Sequence, residues 1–237
     1  MLARIESLRR RKRQPEVMDQ PGLDPELHRG ALEDLARLHR MFDTAGRLFA
    51  PIRRLPRGEP PLSVLDLACG GGTVAVELAA AGRRNGVDLR VTGADISPLA
   101  LEVARREARR VGVEVDFVEL DVVGTDELPR HDVIVSSLFL HHLSREDVVE
   151  LLARMAAAAS RLVLADDLVR SLRGWLYTYT GCRLFFRSPV VRVDGPLSVE
   201  AAFTPVELAG LAQRAGLAGA EVKTSWPQRQ LLIWKKL

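Results

Sequence analysis

Val64-Leu65-Asp66-Leu67-Ala68-Cys69-Gly70-Gly71-Gly72 is an apolar run that ends in an acid and opens onto three glycines. Ser63–Leu67 predicts a strand, and the stretch from Thr73 to about Ala81 predicts a helix. Glycines between a strand and a helix let the backbone turn tightly and approach a ligand without Cβ interference. The helix start that follows offers unpaired N–H groups.

Outward from this turn, short apolar runs alternate with amphipathic stretches. Arg90–Ala94, Val115–Glu119, Asp132–Ser136 and Arg161–Ala165 predict strands. Ser97-Pro98 starts a helix with an N-cap serine and a first-turn proline, and Gly112 stops it. Ser144 with Asp147 forms a capping box that opens a helix to about Ala159. Thr204-Pro205-Val206-Glu207 forms another, with Gly216 ending its helix. Ala220–Thr224 and Gln230–Lys235 are the last two strands, joined through Trp226-Pro227. Near-continuous apolar strands separated by helices predict a parallel sheet covered on both faces. The last connection is too short for a parallel crossover, so those two strands should pair antiparallel. The fold class is therefore α/β: a doubly wound, mostly parallel seven-stranded sheet ending in an antiparallel hairpin.

Open α/β sheets bind ligands outside the C-terminal ends of their strands. Here those ends carry Asp66 before the turn, Asp95-Ile96, Asp121-Val122 and Ser137-Leu138. A nicotinamide-binding fingerprint would need glycine where Ala68 and Thr73 stand, so that reading fails. The set Val64–Gly72, Asp95, Asp121-Val122 and Asp132–His142 resembles the successive motifs of class I S-adenosylmethionine-dependent methyltransferases. The resemblance extends from about residue 60 to residue 237 and includes the closing hairpin; the overall look is similar to the ubiquinone/menaquinone-type and natural-product small-molecule enzymes. It implies that Asp66 faces the amino-acid end of the cofactor, through its ammonium or an intervening water, and that Ala68, Gly70 and Gly72 pass beneath it. It further implies that Asp95, beside Ile96, accepts the ribose hydroxyls. Asp121 and Val122 would meet the adenine, and Ser137 and Leu138 would wall the sulfonium. Ala68 departs from the family, which has glycine there.

A hydroxyl acceptor must lose its proton, and histidine suits that task near neutral pH. His141 and His142 follow the fourth strand and are the candidate bases. Asp166 and Asp167, ending the fifth strand, are candidate orienters or substrate contacts. Residues 168–202 read as a substrate lid rich in aromatics, with Trp175, Tyr179 and Phe186 as expected substrate contacts and Tyr177 and Phe185 among them. The expected acceptor is an apolar small molecule (a phenol, quinone precursor or polyketide-like oxygen). RNA or protein methylation and a non-catalytic cofactor-binding scaffold are the competing readings. No Asn-Pro-Pro-Tyr-type stretch follows the fourth strand, where Ser136-Ser137-Leu138-Phe139 stands.

The chain has 237 residues, 47% of them hydrophobic, enough for one α/β domain with an extension. Residues 1–60 read as a helical cap with a stripe of Leu27, Ala31, Leu32, Leu35 and Leu38. A linker containing Pro51, Pro56, Gly58, Pro60 and Pro61 then joins this cap to a main domain over 61–237. A net charge of +3 argues for no nucleic-acid partner, although Arg9 to Arg13 form a basic run. The arginines among the lid aromatics also fit peripheral contact with a membrane surface. Cys69 and Cys182 make neither a disulfide framework nor a zinc pair, and no metal is expected. With no leader and no run of the ~20 apolar residues that span a bilayer, the expected location is the cytoplasm, as monomer or homodimer.

Overall fold

The computed structural model describes residues 8–20, 22–56 and 61–236. α1 (Pro25–Met41) and α2 (Thr44–Ile52) precede the sheet. The alternation that follows is β1 (Leu62–Leu67), α3 (Thr73–Arg84), β2 (Leu89–Asp95), α4 (Pro98–Val111), β3 (Asp116–Glu119) and β4 (His131–Ser137). A 3-10 turn (Leu140–His142), α5 (Arg145–Ala158) and β5 (Ala159–Leu168) come next. Then follow α6 (Leu172–Phe185), α7 (Pro189–Ala201), α8 (Pro205–Arg214), β6 (Glu221–Ser225) and β7 (Arg229–Lys235).

The seven strands form one sheet in the order β3-β2-β1-β4-β5-β7-β6. β1 to β5 pair in parallel, and β7 pairs antiparallel with both β5 and β6. Strand order reverses between β1 and β4, which places the ligand crevice at the turn after β1. Side chains alternate across the sheet. Val64, Val133, Val135, Leu162 and Leu164 pack toward α2 and α3, whereas Leu65, Leu67, Ile134 and Val163 pack toward α5 and α8. By the same alternation Asp66, Asp166 and Arg229 share the α2 face, and Asp167 lies on the other.

Local chemistry sets the helix starts. The Ser97 hydroxyl accepts from Ala100 N at 3.2 Å, and Gly112 closes α4 at φ 72°. Both capping boxes form: Ser144 with Asp147, and Thr204 with Glu207.

The N-terminal boundary departs from the expectation. Leu48 and Ile52 of α2 are fully buried and share a core with Val64 and Leu78, so this helix is a layer of the sheet domain and not of a separable cap. Pro51 sits inside α2. It lies in the last turn, where its ring cuts the helix short without disturbing its buried face. Gly58 and Pro60 of the expected linker, and residues 1–7, lie outside the described residues. Part of the basic run is also spent on structure. Arg11 Nη2 donates to the carbonyls of His141 (2.8 Å) and Leu143 (2.7 Å), and its guanidinium lies 3.9 Å over the Phe203 ring. Arg13 donates to the His142 carbonyl at 3.0 Å. Among the described residues, no helix is long and apolar enough to cross a membrane.

Candidate active site

A cavity of about 1050 Å³ opens at the C-terminal ends of the parallel strands. Its floor is made by the segments after β1 to β4: Ala68–Gly71, Asp95–Ser97, Leu120–Val123 and Ser137–Leu143. α1 supplies one wall, while α6 and α7 form the roof. Two buried carboxylates hold this cover in place. Asp34 of α1 accepts the backbone N–H groups of Arg187 (2.8 Å) and Ser188 (2.7 Å) at the α6–α7 junction. Asp194 of α7 accepts those of Val17 (2.8 Å) and Met18 (3.0 Å). Ala31, Cys182, Phe186, Val190 and Val191 form an apolar cluster between α1 and the roof. The lid expected over 168–202 is thus two docked helices.

Most of the residues expected to hold the cofactor meet at this cavity. Ala68, Gly70, Asp95, Ile96, Asp121, Val122, Ser137 and Leu138 all line it. Asp95 knits two segments together: Oδ2 accepts Gly70 N at 2.7 Å and Oδ1 accepts Ser97 N at 2.9 Å. Asp121 is exposed, and its Oδ1 accepts Val123 N (3.0 Å) and Gly124 N (2.9 Å) in a tight turn. Ala68, at φ 53°, holds the left-handed conformation that a glycine would take without strain. The backbone path is therefore kept despite the alanine.

Two of the expected residues at the turn stand off the cavity. Gly72 does not line the cavity. A Cβ there would lie 2.5 Å from Ala104 Cβ and 3.0 Å from the Phe117 ring, so this glycine is required for packing against α4 and β3. Asp66 does not line the cavity either; it is fully buried behind the turn, and neither carboxylate oxygen has a hydrogen-bond partner. Burial, reinforced by the charge of Asp95, pushes its carboxyl up to about 8. Asp66 is therefore a neutral acid at neutral pH, and a cationic ligand group nearby, as the ammonium of S-adenosylmethionine would be, would favour its ionised form. Contact through an intervening group fits better than direct contact.

Beyond the turn, His141 and His142 stand where the cavity runs under the roof. His141 is 2% exposed; its Nδ1 lies 2.7 Å from Asp167 Oδ1, and its backbone N–H donates to Asp167 Oδ2 at 3.0 Å. Its Nε2 faces Glu16 Oε1 at 3.6 Å. His142 Nδ1 bonds to Asp19 at 2.8 Å. Burial opposes the charge on His142, but the hydrogen bond to Asp19 and the charges of Glu16, Asp19 and Asp167 outweigh it and raise it to about 9. His142 is thus an imidazolium at neutral pH and cannot take up a proton, which leaves His141 as the base candidate. Glu16, His141 and His142 also place three ligand-type atoms within 4.8 Å of one another, a group that could hold a metal ion.

Raised in the folded state, His142 adds stability that is complete below its unfolded value near 6.5 and disappears as pH climbs through 9. The linked contribution is at most about 3 kcal/mol. Urea unfolding at pH 6 and pH 9.5 is expected to show this loss, and His142→Gln is expected to flatten it. An equal pH dependence in the variant would refute the assignment.

The substrate contacts are only partly as expected. Phe186 lines the cavity, joined by Tyr177 and Phe185, but Trp175 and Tyr179 do not. Those two stack on each other at 4.9 Å, Arg183 covers Tyr179 at 3.6 Å, and the Trp175 indole donates to Glu200 at 3.1 Å. Composition alone does not separate these sets, whereas helical spacing does: 175 and 179 share one face of α6, and 177, 181 and 184 another. Of the two acids ending β5, Asp167 orients His141, and Asp166 pairs with Arg47 and Arg229. Glu16 and Asp19 were missed because they lie more than a hundred residues from the histidines they face.

Residues 64–161 match the family model described as a methyltransferase domain. A ubiquinone biosynthesis O-methyltransferase from Bordetella parapertussis (strain 12822) is 29% identical over 156 residues, which are 65% of this chain and 61% of that protein. The chain thus spans about three fifths of that relative's length. Among solved structures, the apo form of the S-adenosylmethionine-dependent methyltransferase SibL superposes with a TM-score of 0.62 at 22% identity, covering 97% of this chain and 64% of that one. A magnesium protoporphyrin IX methyltransferase from Synechocystis PCC 6803 with bound SAH gives 0.57 at 16% identity, covering 93% and 91%. These likenesses show the fold. Residues 64–161 thus match a methyltransferase domain, and the whole chain shares its fold with S-adenosylmethionine-dependent methyltransferases of known structure.

Proposed function

We propose that this protein transfers the methyl group of S-adenosylmethionine to an oxygen of an apolar small molecule. One observation carries the reading. A single cavity joins the turn held by Asp95 to the buried His141–Asp167 pair, beneath a roof that contributes Phe185 and Phe186. The sulfonium is already an activated methyl donor, so the protein's work is to orient an acceptor and to remove its proton. His141 Nε2 would receive that proton, with Asp167 fixing the ring and stabilising the imidazolium. The ubiquinone biosynthesis O-methyltransferase relative supports an oxygen acceptor. Arg11 and Arg13 of the basic run are engaged by the body of the protein, which weakens the case for RNA binding. We place the reaction in the cytoplasm, carried out by a monomer or homodimer; contact of the lid with a membrane surface is compatible with exposed Leu184 and Phe185.

Incubation with methyl-labelled S-adenosylmethionine and a panel of phenols is expected to yield a labelled ether. A chelator should leave the rate unchanged if His141 acts as the base. Loss of turnover on chelation, restored by a divalent ion, would instead assign Glu16, His141 and His142 to a metal. Absence of label in every phenol would overturn the acceptor class.

A further inference from the structure

On the α2 face of the sheet, at the far end of the same cavity, lies a charged cluster that methyl transfer does not use. Asp166 is completely buried. Arg47 of α2 grips it with two bonds, Nε to Oδ2 and Nη2 to Oδ1, both 3.0 Å. Arg229, the first residue of β7, donates to the same carboxylate through Nη2. Two guanidiniums therefore share one carboxylate. The nearby acids are engaged elsewhere: Asp167 with His141, and Asp43 with the Gly46 backbone N–H at the start of α2.

Arg229 is 1% exposed and lines the cavity, yet its Nε and Nη1 have no hydrogen-bond partner. His39 of α1 lines the cavity too, and its buried Nδ1 is likewise unpartnered. A buried cation with unmet donors is costly unless an anion completes it. Neutral His39 can stand beside such a cation and still offer an N–H. Burial, with Arg229, Arg47 and Arg40 close by, keeps it neutral by lowering it to about 3.

We propose that Arg229, assisted by His39, binds a carboxylate carried by the methyl acceptor. The placement favours the acceptor over the cofactor. The expected cofactor contacts follow β1, β2 and β3, whereas Arg229 stands on β7, three strands from β1 in the order β1-β4-β5-β7. At the usual strand spacing that is about 14 Å. His141 is anchored to Asp167 on β5, the strand next to Arg229. The acceptor would then be amphiphilic, with an apolar body against Phe185 and Phe186, its hydroxyl at His141 and its acid at Arg229. This inference rests on the methyltransferase reading above.

The test uses the full chain loaded with S-adenosylhomocysteine. Benzoate and benzyl alcohol, similar in shape but different in charge, are titrated by calorimetry. Benzoate is expected to bind at least tenfold more tightly, and Arg229→Met is expected to erase that preference, since Arg47 still neutralises Asp166. Arg229→Lys keeps the charge in place should the methionine variant fail to fold; it is expected to weaken benzoate severalfold and His39→Ala to weaken it less. Equal affinity for the two probes, or unchanged benzoate binding in either Arg229 variant, overturns the proposal. Benzoate that displaces S-adenosylhomocysteine would also overturn it, because the site would then be the cofactor's. Affinity for S-adenosylhomocysteine is read in the same samples, and its absence would condemn the methyltransferase reading separately from the Arg229 subsite.

Discussion

Asp95→Ala is expected to weaken S-adenosylhomocysteine binding at least about 100-fold, measured by calorimetry. A carboxylate accepting two ribose hydroxyls makes two charge-assisted hydrogen bonds, each worth roughly 1.5–3 kcal/mol. Their joint loss corresponds to about two to four powers of ten in affinity. The structure adds a second cost. Asp95 also accepts the N–H groups of Gly70 and Ser97, so the alanine frees the glycine turn from the start of α4. Asp95→Asn separates these effects. It keeps one carbonyl acceptor and the side-chain shape, and is expected to lose roughly tenfold by the same bookkeeping. A folded Asp95→Ala protein that binds within threefold of the parent would refute the ribose assignment. The thermal midpoint, recorded alongside, distinguishes a misfolded turn from a missing contact.

The sheet was legible in the sequence because its signals are local. A β1 run of Leu62–Leu67, an acid and a glycine turn need no knowledge of distant residues, nor do Ser97-Pro98 or the two capping boxes. The short Trp226-Pro227 connection sufficed to give the closing hairpin its direction. What was not legible depends on contacts between remote segments. α2 carries Pro51, a residue that usually ends a helix, and only Leu48 and Ile52 seated against Val64 and Leu78 show that this helix belongs to the core. Gly72 looked like part of the ligand turn, but its constraint comes from Ala104 and Phe117. Nothing local in the run Arg9 to Arg13 shows that Arg11 reaches the carbonyls of His141 and Leu143 after β4.

The candidate site divides along the same line. Asp95, Asp121 and the glycine turn lie at strand ends, where topology alone gathers them. The acceptor side is assembled from the N-terminal segment, α1, the roof and β7, which meet only in three dimensions. Glu16, His39 and Arg229 carry no motif. Each becomes visible through a buried polar atom and the group it faces.

His141→Gln is expected to reduce turnover of an ordinary phenol by about 10²- to 10⁴-fold, the range typical of a lost general base. Glutamine is the informative substitution. His141 is buried against Asp167, whose carboxyl is held below its usual range despite burial by hydrogen bonds that include those from the His141 ring and the Leu168 N–H. Alanine would leave that buried carboxylate without its side-chain partner, costing up to roughly 3–5 kcal/mol of stability, and would confuse folding with catalysis. Glutamine can still donate to Asp167 but cannot take up a proton. The decisive comparison is between acceptors. Catechol must be deprotonated during transfer, whereas 4-nitrocatechol is already largely ionised at neutral pH. If His141 is the base, His141→Gln slows catechol severely and 4-nitrocatechol only slightly, with little change in either KM. If His141 merely positions the acceptor, both slow by the same factor and KM rises. Asp167→Asn is expected to follow the same pattern more weakly, because it spoils the orientation of the ring but leaves Nε2 in place. Equal slowing of the two acceptors would remove proton transfer from the role of this pair and leave the reaction to positioning alone.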